Sequence, residues 1–463
     1  MSKDLASSPR GGVAKVWVII IGAGLGGCAA AMAMYYQGFH VTIFERLRNF
    51  QRLGDSLGLG ENALRLLARW GLHEQLVRIG NKSPNMQIRR WNDGEILAVQ
   101  PLMDMAGYIG HRGDYHAEFL KRVEELGMTV RMGHKVVSFK EAPGKQPSVV
   151  LEDGREFSAD VVIGADGIKS QTRELVLGFE DKPKSSGYAC YRAYFKGEHL
   201  KSIPLCKPLV EKECVNIWIG HDMHLVQNTL RDGEEFNWIL THKDTTDIAE
   251  SWFQPGNMED VKALVADWDP QIVAAVNETP SCLDWKICYR DPIPTWVSSS
   301  STIALLGDSC HPHLPTSAQG ASQATESAAV LALCLKLAGK DSIPLATRVY
   351  EKLRFGRVRQ AQLNGEDVRD RWHNTLKQLD ENTKIDPDHV KIKNRWLYPF
   401  DAEADTREKW PTISEIVRKE LETGKLTPLF DLEKGPEKVL IEHDAFGRRK
   451  DAEVPLPAEV LVG

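Results

Sequence analysis

The stretch VWVIIIGAGLGGCAAAMAM, residues 16–34, decides the fold. It is apolar enough to raise the question of a membrane span. The order of residue types argues against one: β-branched and aromatic residues come first, then glycines, then alanines, which reads as strand, turn and buried helix. HVTIFE at residues 40–45 reads as the next strand, ending in Glu45. Between the first strand and its helix lie Gly22, Gly24 and Gly27 in a G-x-G-x-x-G pattern, with Glu45 about 20 residues further on. Such glycines let a pyrophosphate approach the backbone at a helix N-terminus, where free N–H groups and the helix dipole favour an anion. Glu45 would then accept from ribose hydroxyls.

Two later stretches repeat one feature of this unit. VVIGADGIKSQTR at 161–173 is a buried strand running into Asp166, and TIALLGD at 302–308 is another running into Asp308. Ligands of open α/β sheets sit at the carboxyl ends of strands, so one dinucleotide spread along one sheet accounts for all three segments. After Asp308 the chain continues as GDSCHPHLPTSAQGASQATESA, residues 307–328. Three chemistries compete there: a metal site on Asp308, Cys310, His311 and His313, a Cys310–His311 nucleophile pair, or a loop shaped around a large cofactor. Pro312 and Pro315 fix the chain for reasons a metal does not require, and no third group is in view to orient a nucleophile. The reading is a cofactor loop with no metal.

The chain has 463 residues and a formal charge of −6, from 58 basic and 64 acidic side chains. No Lys/Arg block accompanies that balance, so nothing points to nucleic acid or an anionic membrane, and a small-molecule ligand is expected. The eight cysteines form no C-x-x-C pair, and the start MSKDLASSPRGG is polar. Both favour a reducing, cytoplasmic location. Asn62–Trp70 and Ala117–Glu125 have helical spacing, Asp153-Gly154 marks a hairpin, and charged helices are expected over Leu345–Lys384, followed by a Pro-punctuated appendage. From Tyr188 to about Trp285 the texture becomes alternating and aromatic (YACYRAYF, VNIWIG, FNWIL). That predicts an inserted antiparallel sheet, with Tyr188, Cys190, Arg192 and Tyr194 on one face of a strand. The aromatic residues Tyr188, Tyr191, Trp218, Phe236 and Trp238 are candidates for core or for a ligand pocket.

The glycine pattern with its distant Glu45, the Asp166-Gly167 segment, and Gly307-Asp308 followed by H-P-x-x-P-x-x-A-Q-G-A occur in one chain. HRGDYHAEFL at 111–120 is similar to an H-R-x-D-L stretch, and WLYPFDAEA at 396–404 to a W-x-x-x-x-D-A motif. Over residues 14–405 the combination resembles the class A FAD-dependent aromatic monooxygenases of the salicylate-hydroxylase-like group, including fungal natural-product members that epoxidise indoles. Two departures stand out: Thr316 replaces a common aromatic residue, which bears on substrate size, and Ser327 follows Glu326 where Asp is frequent.

The resemblance implies a p-hydroxybenzoate-hydroxylase-like α/β fold. A Rossmann-like FAD domain would be built from residues 1–80, 111–180 and 286–384 (the last with long helices), with substrate-domain strands at 81–110, a substrate-binding β-sheet domain at 181–285 and a C-terminal appendage at 385–463. It implies FAD as cofactor, bound by Gly22, Gly24, Gly27, Glu45, Arg112, Asp166, Asp308, Gly320 and Ala321. Arg112 would contact the flavin, Asp166 would belong to the segment serving both FAD and NAD(P)H, and the helix begun by Gly320 and Ala321 would face the flavin pyrimidine. Arg192 is the expected catalytic residue, with Tyr188, Trp218 and Thr316 at the substrate. NADPH or NADH would act as a transient reductant, since no second glycine fingerprint exists to hold it. O2 would then hydroxylate or epoxidise an electron-rich aromatic or indole-type substrate through a flavin C4a-hydroperoxide. The alternatives are an indole-alkaloid epoxidase rather than a phenol or benzoate hydroxylase, and a flavin oxidase or non-catalytic FAD-binding protein.

Overall fold

The computed structural model describes residues 16–52, 54–102, 109–244, 254–375, 385–393 and 395–435. The stretch from Val16 to Met34 divides as its residue types require. Trp17–Ile21 is a strand, and Leu25–Tyr36 is a helix whose alanines and Cys28 are fully enclosed. The strand lies at the middle of a five-stranded parallel sheet, ordered Ile303–Leu305, Val161–Gly164, Trp17–Ile21, His40–Glu45, Val130–Met132. Covered on both faces, such a sheet needs no alternation, and VVIG and IAL are apolar throughout. Small residues in Leu25–Tyr36 let helix Gly320–Ala338 lie close against it, and the interior of both belongs to one core.

Two glycines of this strand–turn–helix unit cannot give way to a larger residue. Gly22 turns the chain at φ +94°, and a Cβ there would sit 2.5 Å from the Ala165 carbonyl oxygen. At Gly27 a Cβ would sit 1.9 Å from the Gly22 oxygen, so helix and turn touch backbone to backbone.

The second sheet has seven strands, ordered Leu283–Tyr289, Lys184–Lys196, Glu235–Lys243, His224–Leu230, Val215–Ile219, Asn85–Arg90, Ile96–Pro101. The strands from Lys184 to Tyr289 pair antiparallel, as expected of the inserted sheet, and Val215–Ile219 joins Asn85–Arg90 in parallel. The parallel join arises where strands far apart in the sequence meet, with no hairpin to set their direction. One face packs on helices Met258–Leu264 and Pro270–Asn277, where Trp218, Phe236 and Trp238 are buried. The opposite face looks toward the carboxyl ends of the parallel strands.

Helix Ile343–Asn374 spans both units. Beyond Lys384, helix Ala402–Thr423 packs on it and on Gly320–Ala338, burying Ala402, Ile413 and Val417 in the main core. That segment is therefore structural at least to residue 423; its apolar spacing is interrupted by Pro411, which hides the helix in the sequence. Residues 436–463 of the expected appendage lie outside the described residues. Among the described residues no helix is long and apolar enough to cross a membrane.

Candidate active site

A cavity of about 420 Å³ lies between the carboxyl ends of the parallel sheet and the open face of the seven-stranded sheet. Gly24, Leu25 and Gly26 form one wall. Gly24 has ordinary dihedrals (φ −67°, ψ −178°), and a Cβ built on it would meet nothing within 4 Å. It is also the N-cap of Leu25–Tyr36 and offers no capping side chain, so the first-turn N–H groups await a partner from the cavity. Glu45 accepts from Ala23 N (2.9 Å) and Leu47 N (2.8 Å), which holds its carboxylate beside the loop.

The H-R-x-D segment works as a unit. His111 caps helix Arg112–Glu125, its Nδ1 accepting from Gly113 N (3.1 Å) and Asp114 N (3.3 Å). Burial lowers the imidazole's pKa, which suits an accepting nitrogen. Arg112 then points into the cavity, its backbone N donating to Asp55 O at 2.7 Å. Asp114 fixes Arg52 (2.6 Å) and Arg231 (3.0 Å), tying the second sheet to the start of helix Arg112–Glu125. Asp308 borders the cavity as well. Burial pushes its carboxyl up while the nearby Arg112 pulls it down, and Arg112 is itself lowered by burial against the fields of Asp308 and Asp55. Asp308 is exposed toward the cavity and Arg112 is half-buried, so the two present opposite charges to the same space and each feels the other's field.

The loop after Asp308 distributes its side chains to separate neighbours. Cys310 Sγ donates to Gly307 O, and burial raises this thiol far above its ordinary value. His311 Nε2 is 3.0 Å from Ser327 Oγ, and His313, lowered to about 4, lines the cavity as a neutral ring. Among the described residues no three His, Cys, Asp or Glu side chains come together. Ala318 has φ +48°, a rare conformation for an L-residue, and it aims the start of helix Gly320–Ala338 at the cavity. That helix begins at Gln319 without a side-chain cap, and Gln319 Nε2 is buried with no partner. Gly320 and Ala321 both line the cavity.

Several expected site residues are placed otherwise. Trp218 is a correction: it faces away from the cavity, buried among the helices behind the sheet, with Nε1 donating to Asp269 at 2.9 Å. Tyr188 also stays off the cavity wall. Its ring packs on His373 (5.0 Å) and under Arg369 (5.3 Å), within the stretch where the register shifts between Ser185 and Ala189. Asp166 uses its carboxylate on the following turn, accepting from Ser170 Oγ (2.6 Å) and from Thr172 N and Oγ1 (3.0 Å each). Its neighbours Ala165 and Gly167 supply the wall instead. Thr316, by contrast, lines the cavity, and its hydroxyl donates to Gly365 O (2.7 Å).

Arg192 does line the cavity. It is 5% exposed, its Nη1 lies 3.2 Å from Asp55 Oδ2, and its guanidinium sits 4.8 Å from the Trp285 ring centroid. Asp55 and Trp285 were not foreseen. Asp55 comes from a loop 137 residues earlier, and no sequence signal links it to Arg192.

The arrangement suits an elongated ligand with an anionic bridge at the glycine loop and a planar group between Asp308 and Arg112. Comparison with known proteins agrees. The family model described as an FAD binding domain matches residues 15–343. The 6-hydroxynicotinate 3-monooxygenase of Pseudomonas fluorescens is 33% identical over 367 residues, 77% of this chain and 90% of that protein. The flavin-dependent monooxygenase pboD of Aspergillus ustus is 31% identical over 369 residues, 73% of this chain and 76% of that one. Among solved structures, CtdE in complex with FAD and its substrate 4 superposes with a TM-score of 0.80 at 27% identity, covering 87% of this chain and all of that one. A salicylate hydroxylase substrate complex shares the fold, with a TM-score of 0.73 at 22% identity, over 85% of this chain and 97% of that one.

Proposed function

The chain belongs to the FAD-binding-domain family of flavin-dependent monooxygenases, and from that premise we propose that it uses NADPH or NADH, with O2, to hydroxylate or epoxidise an electron-rich aromatic or heteroaromatic small molecule in the cytoplasm. The observation that carries this reading is one continuous cavity bordered by an uncapped glycine-loop helix, by Asp308 and Arg112, and by the face of the second sheet. Bound FAD would take a hydride from the nicotinamide and activate O2 for transfer of one oxygen atom.

The chain's own groups bind and orient. Gly24 and the N–H groups of the following turn would hold the pyrophosphate, with Glu45 at the ribose and Asp308 at the ribityl chain. Arg112 would lie against the ring system, and the N-terminus of Gly320–Ala338 would favour negative charge on the reduced ring. Arg192, held by Asp55, would hydrogen-bond the substrate or oxygen-bearing groups, while the apolar sheet face keeps water out.

The reading is tested with isotopically labelled O2. Substrate-stimulated NAD(P)H oxidation should give a product carrying one labelled oxygen by mass spectrometry. Labelled peroxide with unlabelled product would make the protein an oxidase, and no NAD(P)H consumption would leave it an FAD-binding protein.

Asp308→Ala should weaken FAD by about 1.5–3 kcal/mol, the worth of a hydrogen bond to a charged group. That is roughly ten- to a hundredfold in dissociation constant. Cys310→Ala, whose thiol only closes its own turn, should change it little. Titration of apoprotein with FAD, followed by flavin fluorescence, reads both, and equal losses would take Asp308 out of the cofactor site.

Arg192→Gln keeps hydrogen-bonding capacity and removes the charge. FAD and folding should be retained, product formation should fall at least tenfold, about 1.4 kcal/mol of transition-state stabilisation, and reducing equivalents should leak to peroxide. Unchanged coupled turnover would assign Arg192 to scaffolding.

A further inference from the structure

Three cross-strand rows of side chains face the cavity from the second sheet. Cys190, Thr241 and His224 are paired in one row; Arg192, Ile239, Val226 and Ile217 in the next; Asn228 and Val215 lie in the third. The middle row carries its charge at one end and is apolar over Ile239, Val226 and Ile217. Two inter-strand spacings separate Ile239 from Ile217, about 9.5 Å. That breadth accommodates two or more fused rings lying flat.

The cations at this cavity are already matched. Arg192 meets Asp55 at 3.2 Å, Lys286 meets Asp244 at 3.6 Å, and Arg112 lies in the fields of Asp308 and Asp55. An anionic substrate would therefore compete with carboxylates for each of them, at the cost of its own desolvation.

The apolar row is flanked by oriented polar groups: Asn228, held by Asn237 Nδ2 at 2.9 Å, on one side and His224 on the other. His224 is 3% exposed and lines the cavity, and its Nδ1 lies 2.8 Å from His373 Nε2. One proton shared between those two nitrogens fixes the ring, and Nε2 is the edge that remains for the cavity. Burial and the neighbouring His373 and Arg369 hold His224 well below its ordinary value, so the ring is neutral at physiological pH. Trp372, edge-on at 5.2 Å, closes its flank.

Resting on the monooxygenase reading above, we propose that this wall selects an uncharged, planar aromatic of at least two fused rings, laid on the Ile239–Val226–Ile217 row and read at its polar edge by His224 Nε2. His373 is the positioning residue for that imidazole. The group His224 reads is a ring N–H, hydroxyl or carbonyl, since a neutral imidazole offers a donor or an acceptor at Nε2 according to which nitrogen of the pair holds the proton.

The test is calorimetric titration of the FAD-loaded protein with three probes of like shape: carbostyril, a neutral bicyclic lactam; naphthalene, which lacks the polar edge; and quinaldate, a bicyclic carboxylate. Wild-type protein should bind carbostyril at least tenfold more tightly than quinaldate. His224→Leu should weaken carbostyril about tenfold and leave naphthalene unchanged or tighter. His373→Leu should weaken carbostyril while sparing naphthalene, and His224→Gln, which restores a hydrogen-bonding edge, should recover part of the loss. Quinaldate binding as tightly as carbostyril would overturn the proposal, as would parallel losses for all probes or failure of carbostyril to bind. The flavin absorbance of the same samples reads the cofactor assignment independently: a chain that holds no flavin defeats the monooxygenase reading, whereas a yellow protein with the wrong probe order defeats only this inference.

Discussion

Gly27→Ala is expected to give protein that neither folds to native stability nor retains FAD, whereas Gly24→Ala, three residues earlier, is expected to fold normally and lose FAD alone. The Cβ added at Gly27 would lie 1.9 Å from the Gly22 carbonyl oxygen and 3.0 Å from its carbon. Both atoms are backbone, and Gly22 is itself pinned against Ala165, so no side chain can yield to make room. Relief requires the helix Leu25–Tyr36 to retreat from the sheet, through a core in which its alanines are fully buried. Overpacking of this kind costs about 3 kcal/mol or more. Gly24 has open space at its Cβ position and dihedrals that alanine adopts freely, so the folded chain accepts the methyl group. The space it fills is where the pyrophosphate would approach the helix N-terminus, and FAD affinity should fall at least tenfold, about 1.4 kcal/mol. Urea unfolding and FAD titration, run on both variants, separate the two effects. A Gly24→Ala protein with wild-type FAD affinity would move the pyrophosphate elsewhere.

The contrast shows why this part of the molecule was legible. A glycine loop between strand and helix is local geometry, and residue types within a few positions specify it. The rows of the second sheet are different. Alternation in VNIWIG establishes two faces, one bearing Val215 and Ile217 and the other Trp218, but not which face meets the ligand. Helices Met258–Leu264 and Pro270–Asn277 settle the phase by covering the Trp218 side. Their docking is a tertiary event, and a large aromatic residue drew the sequence reading to the wrong face. Asp166 carries a related ambiguity. A carboxylate at a strand's end serves a ligand or caps the next helix equally well, and Ser170 and Thr172 downstream provide the partners for the cap. His224 left no trace at all, because its partner His373 is 149 residues away.

Glu326→Ala is expected to destabilise the fold by about 3–5 kcal/mol, the cost of leaving buried charge without its partner. Glu326 is fully enclosed and accepts from Arg354 Nη1 at 2.6 Å, from Arg357 Nε at 2.8 Å and from Asn62 Nδ2 at 2.5 Å. Removing it strands two guanidinium groups between helices Gly320–Ala338 and Ile343–Asn374. The damage should spread in two directions. Arg357 also donates to Leu397 O and lies 3.6 Å from the Phe400 ring centroid, so it fastens the W-x-x-x-x-D-A segment to the core. Arg354 donates to Ser327 Oγ, which in turn meets His311 in the cofactor loop. This explains how Ser327 substitutes for an acid: the charge at this point already comes from Glu326. The network also fixes a pH dependence. Burial would raise the Glu326 carboxyl, but Arg354 and Arg357 outweigh it and hold the group below its ordinary value of 4.5. A depressed folded-state pKa stabilises the protein above the unfolded-state value, and that contribution is lost as pH falls below about 4.5 and through the folded-state pKa. Glu326→Gln cannot titrate, so its urea midpoint should be lower than wild type at pH 7 and should converge on it under acid conditions. A variant whose deficit stays constant from neutral to acid pH would show that Glu326 contributes shape to this core and not charge.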